Sequence, residues 1–199
     1  DYYSMQAVFA GVQHADTVLP LAAQTAQQIA ELDQKLSQIE LQLQPYIVRP
    51  TLREAVTAKR NVECFASIDA RFVRFNIHAT NSGQPCIDEL EIFATDSDQN
   101  VGLASAGATA SSSGDFKHPF HKLSHINDGL FGNPHSWIAE QAADSWIQIE
   151  LPQATSIEHI VWARDRAGEY ADRIPIDYAI AVSSDGQQWT EVASSRDRQ

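Results

Sequence analysis

Two hydrophobic periods divide the chain. Val18, Ala22, Thr25, Ile29, Leu32, Leu36, Ile39 and Leu43 recur at alternating spacings of four and three, the seam of a coiled coil or helical hairpin. Pro20, a favourable first-turn residue, and Pro45 beyond the last apolar position bracket a predicted helix over 20–44. Asp1 caps a shorter predicted helix containing Tyr2, Met5 and Phe9, which Gly11 ends. So short a seam suits packing on another helix of a longer parent better than free self-association. Residues 45–61 read as a linker or frayed helix.

From Cys64 the period falls to two. Val73, Phe75 and Ile77 alternate with Arg74, Asn76 and His78; Ile147, Ile149 and Leu151 alternate with Trp146, Gln148 and Glu150; Tyr178, Ile180 and Val182 follow the same rule. These are half-buried strands. Turn signals at Asn81-Ser82-Gly83, Asn127-Asp128-Gly129 and Ser184-Asp185-Gly186 separate them. The pattern predicts an antiparallel β-sandwich over 63–199 behind a helical segment and linker over 1–62. Residues 71–77 and 87–93 read as the arms of one hairpin, and the small residues Ala104 to Gly114 suit an edge strand or a loop.

At 199 residues and 43% hydrophobic content the chain buries one sizeable core and an extension. No stretch approaches the ~20 apolar residues of a membrane span. The start DYYSMQ has neither Met nor a leader, so the chain reads as part of something longer. Residues 1–62 carry 6 acids and 5 bases, whereas 63–199 carry 20 acids and 9 bases. Such an acidic region repels phosphate backbones and anionic lipid, which argues against nucleic-acid partners and favours neutral ligands or cations. Cys64 and Cys86 are too few for a disulfide scaffold and lack metal-site spacing; the hairpin register keeps them apart as free thiols.

Four segments appear in a family's order: NVGLASAGATASSSG from Asn100, HKLSHINDGLFGNPHSW from His121, SWIQIELPQATSIEHIVW from Ser145 and DYAIAVSSDGQQWTEV from Asp177. Together they resemble the discoidin, or coagulation factor type C, domain, whose bacterial relatives include the family 32 carbohydrate-binding modules. The resemblance covers about residues 70–199. It implies a galactose-binding-like jelly roll. One segment is displaced: ARFVRFNIHATNSGQPCIDELEIF from Ala70 resembles the family's closing strand pair yet precedes the opening strand, which implies a circular permutation. DYYSMQAVFAGVQHAD resembles the end of a domain of unknown function in exported bacterial proteins of the planctomycete-cytochrome type. That implies an exported, periplasmic or cell-surface parent. With no CxxCH, no haem is expected in this segment.

The resemblance also implies a structural Ca²⁺ held by the loop from His125 to Trp137 and an acid of the closing strand. Its candidates here are His125, Asp128, Asn133 and Ser136, with Glu89 as the strand acid and Asp88 beside it offering its carbonyl. Calcium takes six to eight hard oxygen ligands, which these residues supply. The bland alternative is an Asx-turn at Asp128 and a solvated Glu89. The loop is longer than the family's spacing between its Asp-Gly and Trp, which bears most on Asn133 and Ser136.

The densest charged stretch, Arg164 to Arg173, offers guanidinium forks, carboxylates and the Tyr170 ring, the equipment for hydrogen-bonding and stacking on a sugar. Arg164, Arg166 and Tyr170 are the candidate ligand contacts, and internal ion pairing is the alternative, above all for Asp172 and Arg173. His118 and His121 are further candidates. His118, His121, His125 and His135 also invite a transition-metal reading, but Pro119 and Gly129 deny them helical spacing, so loop histidines are the preferred view. Of four tryptophans, Trp189 reads as core and Trp146 as outward-facing. No GxSxG, HExxH or P-loop occurs. The sequence thus predicts a non-catalytic module that binds glycan or polysaccharide, the alternative being a protein-interaction or spacer domain.

Overall fold

The structure, a computed structural model, describes residues 52–199 together with 25, 27–29, 31–32, 34–36 and 39. The chain falls into two units, Asp1–Arg49 and Pro50–Gln199. In the first, the described residues are helical, and Ile29, Leu32, Leu36 and Ile39 of the predicted seam are exposed. Thr25 of the seam is exposed too; Val18, Ala22 and Leu43, the predicted helix behind Asp1 and residues 45–51 of the predicted linker lie outside the described residues. No described helix is long and apolar enough to cross a membrane.

The second unit begins earlier than the boundary at 62 predicted from the sequence. Arg53 N–H donates to the Asp197 carbonyl at 2.7 Å and Gln199 N–H to the Arg53 carbonyl at 3.0 Å, so the start of the unit is tied to its end. Eight strands follow: β1 (Asn61–Thr80), β2 (Cys86–Ile87), β3 (Glu89–Ala94), β4 (Thr109–Ser112), β5 (Trp137–Ile138), β6 (Ser145–Ala163), β7 (Pro175–Ser183) and β8 (Thr190–Ser194). The main sheet has the order β3-β6-β1-β7-β8 with β4 also on β6, while β2 and β5 pair separately, and every pairing is antiparallel. The Ala/Ser-rich stretch thus supplies an edge strand.

The sandwich arises because β1 and β6 each serve both layers. Irregularities between Cys64 and Ile68 and between Ala70 and Phe72 interrupt their ladder and let the pair bend. Beyond the bend β6 pairs with β3, and on the near side β1 pairs with β7. Between the layers the Phe75 ring lies 5.2 Å from Trp162 and 5.1 Å from Tyr178. Val73, Phe75, Ile77, Ile147, Ile149, Leu151, Tyr178, Ile180 and Val182 are all buried, as the alternation predicted. Each large side chain so buried contributes about 1.5–3 kcal/mol.

The predicted hairpin of 71–77 with 87–93 does not form. β1 has both edges occupied by β6 and β7, and β3 joins the outer side of β6 instead. Cys64 is exposed and Cys86 buried, both free thiols. Trp189, predicted as core, is half-buried, with the Arg74 guanidinium 4.2 Å from its ring centroid and 4.7 Å from that of Trp146. Trp189 immediately precedes β8, which begins at Thr190, and its ring lies beside Arg74.

One pole of the unit is a charged knot. Glu63, fully buried in β1, accepts hydrogen bonds from Tyr178 Oη (2.6 Å), Trp162 Nε1 (3.2 Å), Arg198 Nη2 (2.6 Å) and Arg53 Nη1 (2.5 Å). Burial and the Glu63 contact push the Tyr178 hydroxyl well above its ordinary range. Long connections gather around Asp88, and they carry the candidate site.

Candidate functional site

Asp88 sits where the chain crosses from β2 to β3, its N–H on the Ala163 carbonyl, and both Asp88 and Glu89 are fully buried. Buried carboxylates need partners, and here loop backbones supply them. Asp88 Oδ2 accepts from Gly132 N (3.0 Å) and Arg166 N (2.6 Å), and both oxygens of Glu89 accept from Gly129 N at 3.2 and 3.3 Å. Gly129 and Gly132 adopt positive φ, 79° and 96°, which turns their N–H groups toward the acids and suits glycine. A third buried acid, Asp165, holds Glu169 N and Tyr170 N through Oδ2, each at 2.8 Å. Asp88 Oδ1 and Asp165 Oδ1 are buried with no hydrogen-bond partner.

Burial dominates the protonation of this floor. It raises the Asp88 carboxyl despite its two N–H partners, and it pushes Glu89 up to about 9, helped by the nearby charges of Asp128, Glu91 and Asp88. A carboxyl held so far from its ordinary value favours either a proton or a cation. Asp128 is only partly exposed; its Oδ1 takes Leu130 N at 2.8 Å and its Oδ2 lies 3.4 Å from His135 Nδ1. The Asx-turn therefore exists, but Glu89 is not solvated.

The donor set implied for calcium divides. Asp128 and Asp88 lie close enough for their charges to act on Glu89, and Asp88 brings an orphaned oxygen. Asn133 and Ser136 are engaged elsewhere: Asn133 Oδ1 accepts from Arg164 Nη1 at 2.9 Å, while Ser136 Oγ donates to the Asn133 carbonyl and meets His121 Nδ1, both at 2.8 Å. His125 faces His135, ring centroids 5.3 Å apart. Hard oxygen chemistry fits the first three residues and not the side chains of the others.

The charged loop serves mainly as a strut. The Arg164 side chain is 3% exposed and is consumed by Asn133, by the Asp172 carbonyl (2.9 Å) and by Asp172 Oδ1 (2.7 Å), so it is not free to fork onto a ligand as the sequence suggested. Arg166 pairs with Glu91 at 2.5 Å and stacks over the Phe131 ring at 4.0 Å. Both guanidiniums carry the internal pairing that alternating charges allow. Tyr170 remains available: 45% exposed, its ring lies 5.1 Å from the Arg164 guanidinium carbon.

A second group of rings stands on the loop after β4. Asp115 anchors that loop by accepting Trp137 Nε1 at 2.7 Å and Ser112 Oγ at 2.6 Å. Beyond it Phe116 and Phe120 are exposed and flank His118, with centroids 6.2 and 5.6 Å away; His118 lies 4.7 Å from His121. Burial, then the charges of His118 and Arg164, lowers the His121 pKa. A continuous chain of contacts, His121 to Ser136 to Asn133 to Arg164 to Tyr170, joins the two ring groups. A cavity of about 460 Å³ lined by Arg53, Cys64 and Glu191 among others contains none of the predicted site residues.

Sequence reasoning missed Asp165 as an anchor, because among alternating charges nothing marks which acid turns inward. Phe116 and Phe120 were also missed. Their period-free setting in a His/Pro-rich loop was the available signal.

Residues 107–199 match the family model described as the F5/8 type C domain. The match lends support to the discoidin part of the resemblance and begins after β3. No curated protein and no solved structure matches the chain.

Proposed function

We propose that residues 52–199 form a non-catalytic carbohydrate-binding module, and that its ligand surface is the loop end bearing His118, His121, Phe116, Phe120 and Tyr170. The observation that carries the reading is the exposure of Phe120 (66%), Phe116 and Tyr170 on loops anchored by Asp115 and by the buried Asp165. A rigid scaffold presenting ring faces beside imidazoles suits the C–H face and hydroxyls of a sugar. Arg164, Arg166 and Asp165 act as supports beneath that surface. The match to the F5/8 type C domain supports a binding module, and a parent that is exported and multidomain accords with the resemblance of residues 1–16.

Calcium belongs to this reading as a structural ion. Glu89, Asp128 and Asp88 would hold it, and it would supply the positive charge that the buried floor lacks. The displaced segment fits a circular permutation: β1 and β3 lie in one sheet with β6 and β7, and Arg53 lies beside Arg198, so the ends of the unit meet.

The test is a glycan array followed by titration of the sugars that bind. A lost ring or hydroxyl contact costs about 1–3 kcal/mol, roughly ten- to hundredfold in affinity. The double change His118→Ala, Tyr170→Ala should weaken binding at least about tenfold while leaving the melting temperature nearly unchanged, because both side chains are exposed. Unchanged affinity in that variant would remove the site from this end. An array without any bound glycan would favour the protein-interaction alternative.

A further inference from the structure

The structure assigns a transition-metal site of the zinc type to His125, Asp128 and His135, independent of sugar binding and sharing Asp128 with the oxygen-donor calcium reading. One ligand atom from each residue can be chosen so that all three lie within 4.8 Å of one another, and all three residues are half-buried. Among the described residues no other group of three or more acids, histidines or cysteines meets that condition. The loop brings them together without a helix: Asn127-Asp128-Gly129 turns at positive φ, and His135 N–H closes a second turn on the Gly132 carbonyl at 2.9 Å.

The donor atoms are poorly used by the protein itself. His125 Nδ1 is buried and has no hydrogen-bond partner. An imidazole nitrogen shut away from water without a partner forfeits the solvation that a metal bond would replace. Asp128 Oδ1 is spent on Leu130 N, but Oδ2 has only the long 3.4 Å contact with His135 Nδ1. Two imidazoles and one carboxylate are borderline donors that suit Zn²⁺, Co²⁺ or Ni²⁺, with bonds of about 2.0–2.2 Å for zinc. Three protein ligands leave a fourth position open, and the partial exposure of His135 provides the entry path. Calcium, which takes oxygen, has little use for the two imidazoles.

The experiment titrates the full chain with Zn²⁺ by calorimetry and with Co²⁺ by visible absorption. One ion per chain should bind, and the Co²⁺ adduct should show the intense visible bands of a low-coordinate ion. His135→Asn, a change at a partly exposed side chain, should weaken Zn²⁺ binding by more than the roughly 10–100-fold that outer-shell changes cost. His125→Gln should do the same. His118→Asn, on the neighbouring imidazole pair, should have no effect. Retention of full Zn²⁺ affinity in folded His135→Asn would overturn the assignment, as would its loss in His118→Asn or the absence of uptake by the wild type. Failure here leaves glycan binding intact, since that reading is scored on sugars and other residues.

Discussion

Replacing Glu63 with alanine should lower the stability of the β unit by about 3–5 kcal/mol, the range for removing one partner of a buried ion pair. For a unit of this size that is a fall in melting temperature on the order of 10 °C. The size follows from what would be left behind. Arg198, whose side chain is 8% exposed, and Arg53 both pair with Glu63, and Tyr178 Oη and Trp162 Nε1 donate to it. Truncation strands two positive charges and two donors at once. Arg198→Ala leaves Glu63 still paired with Arg53, so it should cost less than Glu63→Ala. Thermal melts of both variants check the order. A change of less than about 1 kcal/mol in Glu63→Ala would show that water replaces the carboxylate and that the knot does not hold the ends of the unit.

The second large effect concerns Glu89 and depends on pH. Its carboxyl is held near 9 in the folded chain against an ordinary value of 4.5. Between those two values the folded state retains a proton that the unfolded state has released, so stability falls as pH rises through the window and levels off above about 9. Asp88, also raised by burial, acts in the same direction. At about 1.4 kcal/mol per unit, even half of the Glu89 shift is worth about 3 kcal/mol. In chelator, Glu89→Gln should therefore be the more stable protein near pH 8 by about that amount, with little difference near pH 4. Calcium should reverse the order by stabilising only the wild type. Melts across pH with and without the ion decide it. A wild type whose stability in chelator is flat from pH 5 to 9 would mean that Glu89 is already ionised and compensated.

Much of the fold was legible because burial has a period. Val73, Phe75 and Ile77 alternate in sequence and alternate in the structure, and the three Gly-containing turn signals are all at positive φ. Partners were not legible, since a period of two specifies faces and says little about which strand lies alongside. That is why 71–77 and 87–93 read as a hairpin, although both flank or border β6. Strand length misled too: β1 extends back from the arm read at 71–77 to Asn61 through a polar stretch, ECFASIDAR, in which neither face is uniformly apolar.

In the site the residue types were legible and their orientations were not. Arg164 and Tyr170 read alike as exposed equipment, yet one is sealed under Asn133 and Asp172 and the other is open. Asp88 and Glu89 were chosen for position in a resembling strand. Their complete burial comes from loops some forty residues downstream, whose glycine N–H groups reach back to them. His125 and His135 are ten apart with a turn at Gly129 between, a spacing that carries no recognisable signature.

The most direct test of the central claim is an NMR titration of the isotopically labelled chain with a glycan selected by the array. Amide shifts should concentrate on 116–121 and on Glu169 and Tyr170, fading along the Ser136–Asn133–Arg164 chain of contacts. Shifts gathered instead around Arg53, Cys64 and Glu191, at the cavity of about 460 Å³, would place the ligand at the Glu63 pole and contradict the assignment of the binding surface.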